Sequence, residues 1–306
     1  MTKEAYFSHG KLLLSGEFLV LEGATALAVP LKAGQHLKVF EGTDPAALEW
    51  VSKHGDQQWF DCKYNLRDLE IIDSSDQDRA DFIRKILMSG IKTNQLFSNK
   101  LEGKKVEAIL DFDPGWGWGS SSTLISNIAL WSETNPFNLF FDTQEGSGYD
   151  IACARASSPI LYTMNRNSPI IREVNLKKAV TPFIYFVYLG HKQSTADGIR
   201  SYRQSRVFDK MDIHSISEIS LEMVKATDLK DFNELIREHE RIIARVIRKR
   251  PVKQELFADF PGEVKSLGTW GGDFVMMSFE DDEQDLKNYL LSKKLDKIFS
   301  FREIAI

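Results

Sequence analysis

Apolar positions separated by single polar residues, with glycine as the recurrent break, set the pattern of the first third of the chain. Residues 6–23 read as strands and tight turns, because the short apolar runs are interrupted at Gly10, Gly16 and Gly23. Residues 26–31 and 35–40 continue as two further strands, and 49–52 and 58–62 flank His54-Gly55-Asp56 as a hairpin. The period then changes. Phe82, Ile83, Ile86 and Leu87 recur at helical spacing within 78–89, behind a start rich in Asp. Residues 106–112 alternate again as a strand, and Leu124, Ile125, Ile128 and Trp131 mark the buried face of a helix over 123–131.

Residues 135–141 read as a connection, followed at 144–154 by a small-residue loop that meets a helix start. Strands are predicted at 158–163, 170–174 and 182–189, the last rich in aromatic and β-branched residues. Helices follow at 216–226 and 231–248. In the second, Phe232, Leu235, Ile236, His239, Ile242, Ile243, Val246 and Ile247 form one apolar stripe, which makes His239 a packed helix residue rather than a ligand. Beyond it, Arg245, Arg248, Lys249, Arg250 and Lys253 form a basic cluster that could meet an anionic substrate but reads rather as a solvated helix end. A glycine-rich turn at 267–273 enters a strand, and a helix at 285–295 precedes a final short strand. A domain boundary is expected near Lys178, giving domains 1–178 and 179–306.

Composition narrows the function classes. Hydrophobic residues make up 42% and charged residues 27%, as in a globular protein, and the net charge of -5 provides no global basic field for nucleic acid. Two cysteines, Cys62 and Cys153, cannot build a disulfide framework. No apolar run is long enough to span a membrane, and Lys11, Glu17 and Glu22 punctuate the N-terminal stretch where a signal peptide would need an apolar core. A soluble cytoplasmic protein is the expectation.

The candidate chemistry lies at Asp113-Pro114-Gly115-Trp116-Gly117-Trp118-Gly119-Ser120-Ser121-Ser122, where a strand hands over to a helix. Such a junction offers unpaired backbone N–H groups and the positive end of a helix dipole, and glycine lets the chain approach an anion closely. Alone it would also fit a tight turn with a serine N-cap. A dinucleotide-binding loop is disfavoured, since Gly115, Gly117 and Gly119 alternate instead of following G-x-G-x-x-G and no acid-ended strand follows.

Several segments, in order along the chain, together resemble the GHMP kinases, the superfamily of galacto-, homoserine, mevalonate and phosphomevalonate kinases. Residues 9–23, with Gly10-Lys11 and Gly16-Glu17, resemble the opening motif; 113–122 resemble the phosphate loop; 267–277 resemble the third motif. Gly146-Ser147-Gly148-Tyr149-Asp150-Ile151-Ala152 is similar to the segment carrying the catalytic aspartate, in its phosphomevalonate kinase form. Gly190-His191-Lys192-Gln193-Ser194-Thr195 is similar to another segment of that branch. His9 stands where the family has proline, Trp118 where it has leucine, and Thr269-Trp270 where it has Ala-Gly, so the tryptophans are expected to add bulk beside the nucleotide.

The resemblance implies a two-domain α+β fold, with an S5-like N-terminal domain and a ferredoxin-like C-terminal domain, and ATP and acceptor in the cleft. It implies ATP and Mg²⁺ as cofactors and a small-molecule acceptor, phosphomevalonate or else mevalonate. Gly115, Gly117, Gly119 and Ser120, Ser121 and Ser122 would cradle the phosphates, with Ser121 near the metal and Glu145 a second metal ligand by proximity. Asp150 would take the acceptor's proton or orient it, and Lys11 would stabilise the transferring charge. Lys192, Ser194, Thr195, Gly271 and Gly272 would face the acceptor. Taken singly, Asp150 also fits a helix N-cap and Lys11 a solvated strand end. An inactive relative that only binds nucleotide is the rival, and retention of both Lys11 and Asp150 argues against it.

Overall fold

The computed structural model describes residues 4–165, 168–190, 195–270 and 272–306. The chain divides into two compact units, each discontinuous in sequence. Unit 1 holds the stretch up to Gly10 with 33–114 and 118–155; unit 2 holds 11–32, 115–117 and the chain from Ala156 on. This division differs from a single cut after residue 178. Strand β1 (Glu4–Ser15) starts in unit 1 and ends in unit 2, and β2 (Ala26–Glu41) runs the opposite way.

In unit 1 follow β3 (Ala47–His54), β4 (Gln57–Asn65), β5 (Ile71–Ser74), α1 (Gln77–Thr93), α2 (Phe97–Leu101), β6 (Lys104–Leu110), α3 (Ser120–Trp131), α4 (Pro136–Thr143) and α5 (Tyr149–Cys153). The sheet order is β5-β4-β3-β6-β2, antiparallel except for the β3–β6 pair, where Trp50 sits opposite Val106. Alternation along these strands turns Leu37, Val39, Trp50, Phe60 and Tyr64 into one buried face. Ile83, Ile86 and Leu87 of α1 and Ile125, Ile128 and Trp131 of α3 close over it.

Unit 2 contains β7 (Ile160–Thr163), β8 (Ile170–Glu173), β9 (Ile184–Tyr188), α6 (Thr195–Ser205), α7 (Lys210–Lys225), α8 (Leu229–Ile247), α9 (Val252–Leu256), β10 (Val264–Ser266), β11 (Phe274–Ser278), α10 (Glu283–Ser292), β12 (Ile298–Ser300) and α11 (Phe301–Ile304). The first residues of β2 pair with β7, and β7 with β8. A second antiparallel sheet runs β10-β11-β9-β12. The mixed α+β class expected from the sequence is the one observed. No described helix is long and apolar enough to cross a membrane.

Several elements depart from expectation. The separate strands at 26–31 and 35–40 are one continuous β2. Gly34 permits this, since a Cβ there would lie 2.2 Å from the Ser8 carbonyl oxygen. The connection at 135–141 is helix α4, capped by the Asn135 side chain accepting the Phe137 N–H, with Pro136 in the first turn. Helices α6 and α9 were not anticipated from periodicity; α9 is five residues long and α6 is mostly polar.

Candidate active site

In unit 1 the glycine-rich loop ends at Gly119, which takes the left-handed conformation (φ 92°) as the N-cap of α3 without any side-chain cap. The serine N-cap alternative is therefore not realised: Ser120 is the first helical residue. A left-handed glycine cap leaves the N–H groups of the first turn without a side-chain acceptor, the arrangement an anion needs.

The rest of α3 is fixed by a buried polar set. Thr123 donates to the Gln35 side chain (2.9 Å), Asn127 Nδ2 to the Gln35 carbonyl (2.8 Å), and Ser8 Oγ lies 2.8 Å from both Ser126 Oγ and Asn127 Oδ1. Arg155 donates through Nε to Ser126 Oγ (2.8 Å) and through Nη2 to its carbonyl (3.1 Å); burial lowers its pKa from the ordinary guanidinium value. These bonds tie the helix to β1 and β2 at its serine-rich end. They also explain why a helix with Ser126 and Asn127 fully buried is tolerated.

Asp150 lies in the first turn of α5, whose N-cap is Gly148 (φ 81°), so the aspartate is not the cap. The Ser122 hydroxyl donates to Asp150 Oδ2, and Asp150 Oδ1 accepts the Ile151 N–H at 3.1 Å. Each carboxylate oxygen is thereby oriented by unit 1 itself. Ser122 is buried, whereas Ser121, one position earlier, is exposed. Glu145 is also exposed. Among the described residues no group of three or more His, Cys, Asp or Glu side chains is arranged to hold a metal.

The two departures near the loop resolve locally. His9 donates its backbone N–H to the Ala154 carbonyl (3.1 Å), a bond that proline could not make. Trp118 is 2% exposed and packs on Phe112 with ring centroids 5.7 Å apart. Its ring is thus buried rather than turned to solvent.

Unit 2 carries the remaining candidates. Lys11 is half-buried on β1. Trp116 sits among Tyr188, Phe274 and Phe299, with centroids 5.2–6.3 Å apart. Gly117 (φ 67°) lies under the Asp273 carboxylate, where a Cβ would be 2.3 Å from Oδ2. Trp270 is again 2% exposed. Gly272 is buried at the entry to β11. Lys192, Ser194 and Gly271 lie outside the described residues, as does the side chain of Thr195, whose backbone opens α6.

Sequence reasoning missed one buried cluster in unit 2. Glu17, in the turn after β1, pairs with Lys265 of β10, and Glu17 Oε2 is 3.1 Å from Nε2 of His239 on α8. Lys265 also lies 4.0 Å from Glu240. The four side chains are 0–5% exposed. The Gly16 N–H donates to His239 Nε2 at 3.0 Å, and Ser15 Oγ meets Ser220 Oγ at 2.7 Å. Burial pushes the Glu17 carboxyl up, but the Lys265 ammonium outweighs it and holds it below its ordinary value. Burial and Lys265 depress His239 to about 4, leaving it neutral, and burial raises Glu240 to about 8. His239 is packed as its place in the stripe suggested, and it also fixes the Gly16 turn. The available signal was a Glu, a His and a Lys at positions that apolar patterning reserves for the core.

The whole chain matches solved structures. A Methanococcus jannaschii mevalonate kinase aligns over 99% of this chain and 98% of its own, with TM-score 0.72 and 14% identity. A Streptococcus pneumoniae phosphomevalonate kinase, in complex with phosphomevalonate and AMPPNP, aligns over 97% and 99%, with TM-score 0.72 and 16% identity. The fold is that of the GHMP kinases. A Lactococcus lactis galactokinase, complexed with galactose, extends the GHMP likeness to a sugar kinase, with TM-score 0.64, 12% identity and 100% and 94% coverage. No protein-family model matches the sequence, and no curated protein matches it.

Proposed function

We propose that this chain is an ATP-dependent small-molecule kinase with phosphomevalonate as its acceptor. The observation that carries the reading is the Ser122–Asp150 hydrogen bond: it places an oriented carboxylate beside the uncapped N-terminus of α3 in one unit. Phosphoryl transfer asks the protein mainly for positioning and charge stabilisation. The N–H groups at the start of α3 would hold phosphate oxygens, and Asp150 would accept the proton of the attacking acceptor oxygen. Lys11 would offset negative charge on the transferring group.

The donor set suits Mg²⁺ held chiefly by phosphate and water, because Ser121 and Glu145 are exposed and would offer it single oxygens and not a carboxylate cage. When bound, that ion neutralises charge on the transferring phosphates. Mevalonate is the second acceptor, since mevalonate and phosphomevalonate kinases match the fold equally well at TM-score 0.72.

The test is ADP release from Mg-ATP with phosphomevalonate, with mevalonate and with no acceptor. Release that requires phosphomevalonate supports the reading, and release with mevalonate alone moves the assignment to the second acceptor. Asp150→Asn should lower turnover by orders of magnitude while ATP binding persists. ATP binding without turnover on either acceptor would overturn the kinase assignment to these substrates.

A further inference from the structure

The basic helix end singled out in the sequence borders a cavity in unit 2 that is lined by Trp270 of the third kinase-like motif but by none of the residues assigned to phosphoryl transfer. Its volume is about 570 Å³, within the range of small-molecule sites. Its floor is apolar: Phe257 and Trp270 are 1% and 2% exposed, and Val252 lies beside them. Its rim is cationic, with Lys249, Arg250 and Lys293 against a single lining carboxylate, Glu255. Among the described residues, neither Asp150, Lys11 nor the phosphate loop lines it.

Two of the three rim cations, Lys249 and Arg250, are only lightly engaged, while Lys293 also lies 5.0 Å from the Tyr289 ring centre. Arg250 meets Glu255 at 3.4 Å with its side chain 78% exposed. Lys249 is exposed and reaches the Trp270 carbonyl at 3.4 Å, a long bond to a neutral acceptor. Lys293 pairs with Asp259, which is outside the lining, and its ammonium lies 5.9 Å from the Phe257 ring centre. A surface that needed these charges only for solubility would not set them around a buried aromatic floor. The geometry points to a binding site for a small amphipathic organic anion, with an aromatic or branched apolar body on Phe257 and Trp270. Its phosphate or carboxylate would meet Lys249, Arg250 and Lys293. An uncharged apolar molecule would leave the cations unused, and an inorganic anion would leave the floor uncovered. The inference stands apart from the kinase reading, because it requires neither nucleotide nor turnover.

Calorimetric titration of the full chain with 1-naphthyl phosphate tests it, with 1-naphthol and inorganic phosphate as half-ligands. One saturable site is expected, each half-ligand binding at least tenfold more weakly. Leu256→Trp, at a lining position that is 51% exposed, should fill the cavity from its rim and abolish binding with the thermal midpoint unchanged. Lys249→Gln and Lys293→Gln should each weaken 1-naphthyl phosphate about tenfold and leave 1-naphthol unaffected. Saturating Mg-ADP should not displace the probe. The inference is overturned by absence of saturable binding, by equal affinity for naphthol and its phosphate, by unchanged affinity in Leu256→Trp together with both lysine variants, or by displacement with Mg-ADP. Failure of the kinase assay would leave these titrations, and this site, unaffected.

Discussion

Replacing Lys265 by Met tests whether the buried cluster behind the Gly16 turn is a compensated set of charges. Lys265 and Glu17 are both fully buried, so the substitution strands an ionised carboxylate whose principal counter-charge is gone. Breaking a buried ion pair from one side costs about 3–5 kcal/mol, well above the 0–1 kcal/mol of an exposed pair. The effect must depend on pH. In the native protein the folded-state pKa of Glu17 is depressed, so its contribution is present above the unfolded carboxylate range and is lost as pH falls through the folded value. Without Lys265, burial is the larger influence and the pKa rises, so the penalty is greatest at neutral pH and shrinks on acidification. Urea unfolding at pH 7.5 and pH 5 should show the variant's deficit falling by at least half. Glu17→Gln combined with Lys265→Met should recover most of the loss, because no buried charge is then left unpaired. A deficit below about 1 kcal/mol at pH 7.5, or a double variant no more stable than the single, would refute the compensated-charge account.

Three further outcomes follow from the same structure. Glu240→Gln should flatten the alkaline side of the stability profile: its folded pKa of about 8 exceeds the ordinary 4.5, so between these values the unfolded chain releases a proton that the folded chain keeps, and stability falls by about 1.4 kcal/mol per pH unit. Parallel wild-type and variant curves from pH 5 to 8 in urea unfolding would contradict this. Ser122→Ala removes the donor to Asp150 and should lower turnover about tenfold or more with stability changed by roughly 1 kcal/mol; unchanged kcat in the ADP-release assay would detach Ser122 from orienting the carboxylate. Gly117→Ala combines a φ of 67° with a Cβ 2.3 Å from Asp273 Oδ2, so the loop must shift; ATP affinity should fall about tenfold by titration, and wild-type affinity would show the loop uninvolved.

Sequence alone determined the local half of this molecule. The hairpin at Gly55, the strand before the glycine-rich loop, helix α3 and the apolar stripe of α8 follow from periodicity and glycine placement, which act over a few residues. The order of the segments resembling kinase motifs was legible as well, and the fold agrees with it. Tertiary structure alone decided which of three adjacent serines meets Asp150, because a helix turn sends Ser121 outward and Ser122 inward. It decided that Trp118 points into the core, since a bulky residue between two glycines carries no local mark of its direction. The same holds for Glu17, His239, Glu240 and Lys265. Their meeting spans 248 residues of chain between Glu17 and Lys265, and whether a buried charge is compensated is a property of its distant neighbours.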